Sequence, residues 1–165
     1  MTNVLGIGIA RVGSGNLNLP ATGDMAWQRV TRATATLPQG TAGTLFNVTG
    51  GRVLIVALVG EVTTAIQNQA NDTKIVFDPT ATGASQDLCA VLNIANDAVG
   101  EMYTISGTVS DAMRSDLLIG NPVLGAPIIV SEGAINLDCA ASNTGSVAWD
   151  LWYLPMDTGA TVAAA

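Results

Sequence analysis

Ser146-Val-Ala-Trp-Asp-Leu-Trp-Tyr153 is the stretch whose reading decides the fold. In an extended chain Val147, Trp149, Leu151 and Tyr153 face one way, and Ser146, Ala148, Asp150 and Trp152 the other. Successive strand side chains point to opposite faces, so this alternation marks a strand with one face in a core. Asn143-Thr144-Gly145 precedes it as a turn, and Asp157-Thr158-Gly159 follows it as a solvated turn. The tail, residues 161–165, reads as frayed.

The same texture runs back along the chain. Residues 128–130 and 134–140 are strands around Glu132-Gly133. Residues 45–48 and 52–66 flank Thr49-Gly50-Gly51, where glycines permit positive φ, and this predicts a hairpin whose second arm bends at Gly60 through a bulge. Residues 74–77 form a strand stopped by Asp78-Pro79. Residues 88–94 and 101–107 read as two partnered strands joined by a turn at 96–100. Residues 27–37 alternate without a clean apolar face and end at Pro38-Gln39-Gly40. Val109, Met113, Leu117 and Leu118 have near-helical spacing, which predicts a short helix within 108–119.

About nine short strands with regular turn signals predict a mainly β chain, a compact β-sandwich or β-barrel. Residues 1–25, rich in Gly, Asn and other small residues, read as an irregular extended N-terminal arm, and 26–165 as a single β domain. The apolar run 53–59, extending to Ile66, is interrupted by Gly60, Glu61, Thr63 and Thr64 and is too short and polar for a membrane span. Residues 1–10 lack a basic segment followed by a long apolar core, so the expectation is folding in a cytosol with reduced thiols.

Several kinds of chemistry lack their residues. The chain has no histidine, which removes imidazole bases, Ser-His and Cys-His pairs and histidine metal sites. Cys89 and Cys139 are too few for a cysteine-based zinc site, and they read as buried, reduced core residues, with a bridge between them as the alternative. Asp157-Thr-Gly matches the triplet of aspartic proteases, but only six residues follow Gly159. Asp138 and Asp150 would make a carboxylate pair if the two strands carrying them were neighbours, and Trp149, Trp152 and Tyr153 would then lie near a sugar site. The expectation is no enzyme, no cofactor and no metal.

Charge is sparse and uneven. Charged residues make up 12% of the chain, against ~25% in an average soluble domain. Residues 1–52 carry Arg11, Arg29, Arg32 and Arg52 against Asp24, a balance of +3, while residues 53–165 carry −10. Four arginines so spread are too thin for a nucleic-acid patch. Two readings stay open: Arg11, Arg29 and Arg32, with Trp27, meet an acidic protein partner, or the arginines pair with the chain's own acids. A weakly charged surface suits packing against neighbours, because few charges are desolvated on contact.

The segments Leu45-Phe-Asn-Val-Thr-Gly-Gly-Arg-Val-Leu-Ile55 and Leu58-Val-Gly-Glu-Val-Thr-Thr-Ala-Ile-Gln67 resemble small virion structural proteins of tailed bacteriophages. So do Gly133-Ala-Ile-Asn-Leu137, Ala140-Ala-Ser-Asn-Thr-Gly-Ser-Val-Ala-Trp149 and Tyr153-Leu-Pro-Met-Asp-Thr-Gly-Ala160. The likeness spans 38–165, is closest to capsid decoration, or cement, proteins, and brings no set of functional residues with it. It implies a β-rich structural protein, a homotrimer, made in the host cytoplasm and placed on the capsid exterior. The implied partner is the major capsid protein or another virion protein, without nucleic acid or membrane. A tail, neck or head-fibre component, or a host-surface or carbohydrate-binding module, is the alternative.

Overall fold

The computed structural model describes residues 27–121 and 123–165. The predicted arm, residues 1–25, lies outside them. The described chain forms a β-sandwich of two antiparallel six-stranded sheets. Sheet one holds β1 (Gln28–Thr36), β3 (Val53–Thr64), β7 (Glu101–Thr104), β8 (Arg114–Leu117), β9 (Val123–Val130) and β11 (Ser146–Pro155). Sheet two holds β2 (Ala42–Thr49), β4 (Asp72–Pro79), β5 (Gln86–Asp87), β6 (Leu92–Asn93), β10 (Gly133–Cys139) and β12 (Thr161–Ala164).

In sheet one the order is β1-β11-β3-β7-β8, and β9 shares with β7 the second side of β3. In sheet two the order is β12-β2-β10-β4-β5, with β6 also on β4. The predicted alternation of β11 is realised: Val147, Trp149, Leu151 and Tyr153 are buried, and the residues between them are half-buried on the outer face. Facing them across the sandwich, sheet two contributes Phe46, Val48, Ile75, Phe77, Ile135 and Leu137. Two inner faces interdigitating in this way are the defining core of a sandwich.

The chain changes sheets where the sequence reads as a hairpin. β2 and β3 do not pair: β2 lies between β10 and β12, and β3 lies beside β11. Gly50 and Gly51 do adopt positive φ, 76° and 135°, but they turn a corner between the sheets. Their missing side chains let the corner press on the 157–160 turn, because a Cβ on Gly51 would lie 2.7 Å from Asp157 Cβ. That turn carries another crossing, from β11 to β12. Both crossings leave the same end of the sandwich, and Met156 N–H donates to Arg52 C=O at 2.9 Å between them.

Other differences also have local causes. Gly60 is not a bulge. It pairs with Trp149, and a Cβ there would meet three indole carbons at 2.8–2.9 Å, so the glycine is the seat of the ring. The bulges of β3 fall instead at Val56 and Thr63, where the register with β11 shifts. Residues 88–94 are not one strand; Leu88 and Cys89 dip into the core, and regular pairing is confined to β5 and β6. β7 partners β3 and β8 rather than that segment. No helix forms in 108–119: only Met113 of the four spaced apolar residues is buried, and 114–117 is the edge strand β8. The tail is not frayed, since β12 pairs with β2 and Val162 N–H donates to the Tyr153 hydroxyl at 3.2 Å.

Buried amides close one end. Asn71 Nδ2 donates to Ala141 C=O at 3.1 Å, and Asn71 Oδ1 accepts from Ala141 N–H at 3.0 Å. Asn143 Nδ2 donates to Gln69 C=O at 2.7 Å. These fully buried side chains replace backbone partners that loops lack.

Gly60→Ala overfills the Trp149 seat and is expected to cost about 1–3 kcal/mol in urea unfolding. In a Trp149→Leu background the same change should cost much less, because its opposing ring is gone. Cys89 and Cys139 are free and buried. Burial pushes both thiols above their usual value, partly offset by hydrogen bonds such as the Ile75 N–H to Cys89 Sγ at 3.3 Å. Native protein should therefore react slowly with a thiol reagent at neutral pH, and Cys89→Ala should cost about 1 kcal/mol or somewhat more.

Candidate functional site

The surface features gather on sheet one. The register aligns Arg29, Trp152, Ala57 and Val123 across β1, β11, β3 and β9. The next row holds Leu154, Leu54 and Ile129. All face away from the core. At the bulge Val56 is the extra residue, so both Val56 and Ala57 face this outer surface. With Trp27, Val123 and Trp152 they line an apolar groove of about 290 Å³. Trp27 is 64% exposed and Val123 62%.

The sequence-derived candidates separate in this frame. Arg11 lies outside the described residues. Arg29 is committed within the chain: Nε and Nη2 donate to the two Asp150 carboxylate oxygens at 2.9 and 2.8 Å. Its guanidinium also lies 5.2 Å from the Trp152 ring centroid, a cation–π distance. Thr31 Oγ1 donates to Asp150 at 2.6 Å. Burial pushes the Asp150 carboxyl up, but the hydrogen bonds from Arg29 and Thr31 outweigh it and hold the group below the usual carboxylate value.

Arg32 is opposite Trp149 on the inner side of β1, half-buried at the margin between the sheets. Its Nε is buried without a hydrogen-bond partner among the described residues. Thus Trp27 and Arg29 border the groove while Arg32 does not. A bulge explains why Arg32 and Ala35 share the inner side: the β1 register shifts between them, which breaks the simple alternation of residues 27–37.

A second feature, at the far edge of sheet one, was missed in the sequence. Leu117, Leu118 and Ile119 are consecutive, apolar and 54%, 70% and 68% exposed, with Val99 exposed nearby in sequence to their partner strand. β8 is a terminal strand, so its outer backbone edge is unpaired within its sheet. Leu118 has φ 61°, and its side chain lies over Gly100, where a Cβ would be 2.7 Å from Leu118 Cδ2. Beneath this edge the Tyr103 hydroxyl donates to Asp97 at 2.6 Å and the Ser115 hydroxyl to Glu101 at 2.7 Å. Burial, reinforced by the Glu101 charge, raises the Asp97 carboxyl despite the hydrogen bonds it accepts from Tyr103 and, at 3.4 Å, from Ser115. The helical spacing of Leu117 and Leu118 obscured the feature; three apolar residues in a row beside a charged strand were its available signal.

The Asp138–Asp150 pair does not form. Asp138 is on β10 in sheet two, opposite Lys74, while Asp150 is on β11 in sheet one and bound to Arg29. Asp157 of the Asp-Thr-Gly triplet is a clip. Its carboxylate accepts from Arg52 N–H at 2.7 Å, Nε at 2.9 Å and Nη2 at 2.8 Å, tying the two sheet crossings together. Among the described residues no three Cys, Asp or Glu side chains gather in a metal-holding group, and no helix is long and apolar enough to cross a membrane.

No protein-family model matches the chain, and no curated protein or solved structure does either.

The hydrogen bonds from Arg52 hold the Asp157 carboxyl down at about 2. A carboxyl depressed in the folded state stabilises above its ordinary value, and the contribution is lost as pH falls through about 2. In a carboxyl-resolved NMR titration Asp157 should titrate near 2 in the native chain and return toward 3.8 in Arg52→Gln.

Proposed function

We propose that the chain is a structural virion protein that binds and stabilises a phage capsid lattice as a decoration protein. The observation that carries this reading is the exposed Leu117-Leu118-Ile119 run at the open edge of β8. Exposed contiguous apolar residues on an unpaired edge are a template for another chain. The resemblance over residues 38–165 supplies the virion context, and the 12% charge content suits close packing in a lattice.

In this reading β8 edges join copies into a trimer, and the other faces meet the capsid subunits. With Arg29 neutralised by Asp150 and Arg32 turned inward at the margin between the sheets, the electrostatic share of capsid attachment falls to Arg11. Single exposed ion pairs contribute only ~0.2–1 kcal/mol and are screened by salt. Three copies acting together convert such weak contacts into firm attachment. Binding only the assembled lattice stabilises assembly by mass action.

The test is co-sedimentation of the protein with particles at low and high salt, with oligomer size read by light scattering. Attachment is expected to weaken with salt while the oligomer persists, because apolar burial is not screened. Leu118→Asp should yield folded monomers with weaker attachment. No co-sedimentation at any salt contradicts the capsid role, and a wild-type monomer at every salt contradicts the trimer.

A further inference from the structure

The groove on the outer face of sheet one is apolar, and Trp27 forms part of its wall. Trp27 is also where the described chain begins, with 26 residues before it. Those residues therefore reach the body at the groove itself. Within them Leu5-Gly6-Ile7-Gly8-Ile9-Ala10 alternates large apolar side chains with the smallest residues. An extended chain of this pattern presents Leu5, Ile7 and Ile9 on one side.

We propose that this segment seats in the groove of its own chain, with Leu5, Ile7 and Ile9 against Trp27, Val123 and Trp152. The shape and chemistry match: an apolar row meets an apolar trough, and the body offers it no unpaired charge, since Arg29 at the margin is already held by Asp150. The intervening residues 10–26 contain Gly13, Gly15, Pro20 and Gly23, which suit a reversal of direction. A chain of that length can span ~20–25 Å, enough to turn back. It also holds the segment at an effective concentration on the order of millimolar, which favours the chain's own groove over that of a second copy. The inference does not rest on the virion reading and is tested on free protein without particles.

The experiment uses the full chain carrying Ile7→Cys and Val123→Cys under mild oxidation, the native Cys89 and Cys139 being buried. The expected result is a disulfide within one chain, its yield independent of protein concentration, mapped by peptide mass after digestion. A control pair, Ile7→Cys with Thr80→Cys on the sheet-two side, should form it far less. A disulfide joining two chains and growing with concentration overturns the assignment to the chain's own groove, and a yield no higher than the control overturns the docking. Independently, Ile7→Asp should raise the acrylamide quenching of tryptophan emission about twofold, as Trp27 and Trp152 become uncovered while Trp149 stays buried; unchanged quenching also overturns the proposal.

Discussion

The pairing of β3 with β11 is the constraint on which the rest of the structure depends. It runs from Thr64 opposite Ser146 to Val53 opposite Pro155. β1 attaches to one side of this pair, and β7 and β9 to the other. The inward rows of both strands, Ile55, Leu58 and Val62 with Trp149, Leu151 and Tyr153, make one wall of the core. The pairing holds its width because Gly60 has no side chain where the Trp149 indole lies. Both strands also end at the crossings to sheet two, where Arg52 and Asp157 meet, so β2 and β12 are delivered side by side.

Irregularities in this ladder create the outer surface. The bulge at Val56 points two successive β3 residues outward beneath Trp152, to floor an apolar trough, where strict alternation would turn one of them into the core. At the sheet's other side β7 and β8 are short and leave an edge whose apolar residues continue past the last pairing. A body with so few charges presents neutral surface between these features. The three ion pairs among the described residues, Arg29–Asp150, Arg52–Asp157 and Lys74–Asp87, are partly exposed, so their role is to fix local geometry more than to supply stability. Rigidity from the ladder and apolar surface at its margins are what the proposed lattice binding would draw on.

The sequence made the strands legible where burial is one-sided. β11 follows directly from alternation, because a period of two has no other cheap explanation there, and the centre of β4 from a short apolar run stopped by Asp78-Pro79. Sheet membership was not legible. Gly50-Gly51 meets the needs of a hairpin and of a corner equally, and only the burial of β2 and β3 in opposite layers separates them. Asp138 and Asp150 fell apart for the same reason, one on each sheet. Segments that enter the core without a ladder, such as Leu88–Cys89, imitate strands, and Met113 imitated a helix by sharing its spacing with residues that are exposed. At the groove, Trp27 and Arg29 stand out in the sequence by type and position, but the ion-pair partner of Arg29 is a cross-strand neighbour 121 residues away. The β1 bulge that brings Ala35 to the same side as Arg32 has no sequence signature.

The central claim is that this sandwich is an external structural component of a capsid. The most direct measurement is electron cryomicroscopy of phage heads with and without the protein, compared as a difference map. The account predicts added density on the outer surface at symmetric lattice positions, of a size that accommodates the sandwich and with contacts between copies at the β8 edge. Heads whose maps are identical in its presence and absence, or density confined to the interior or the tail, would contradict it.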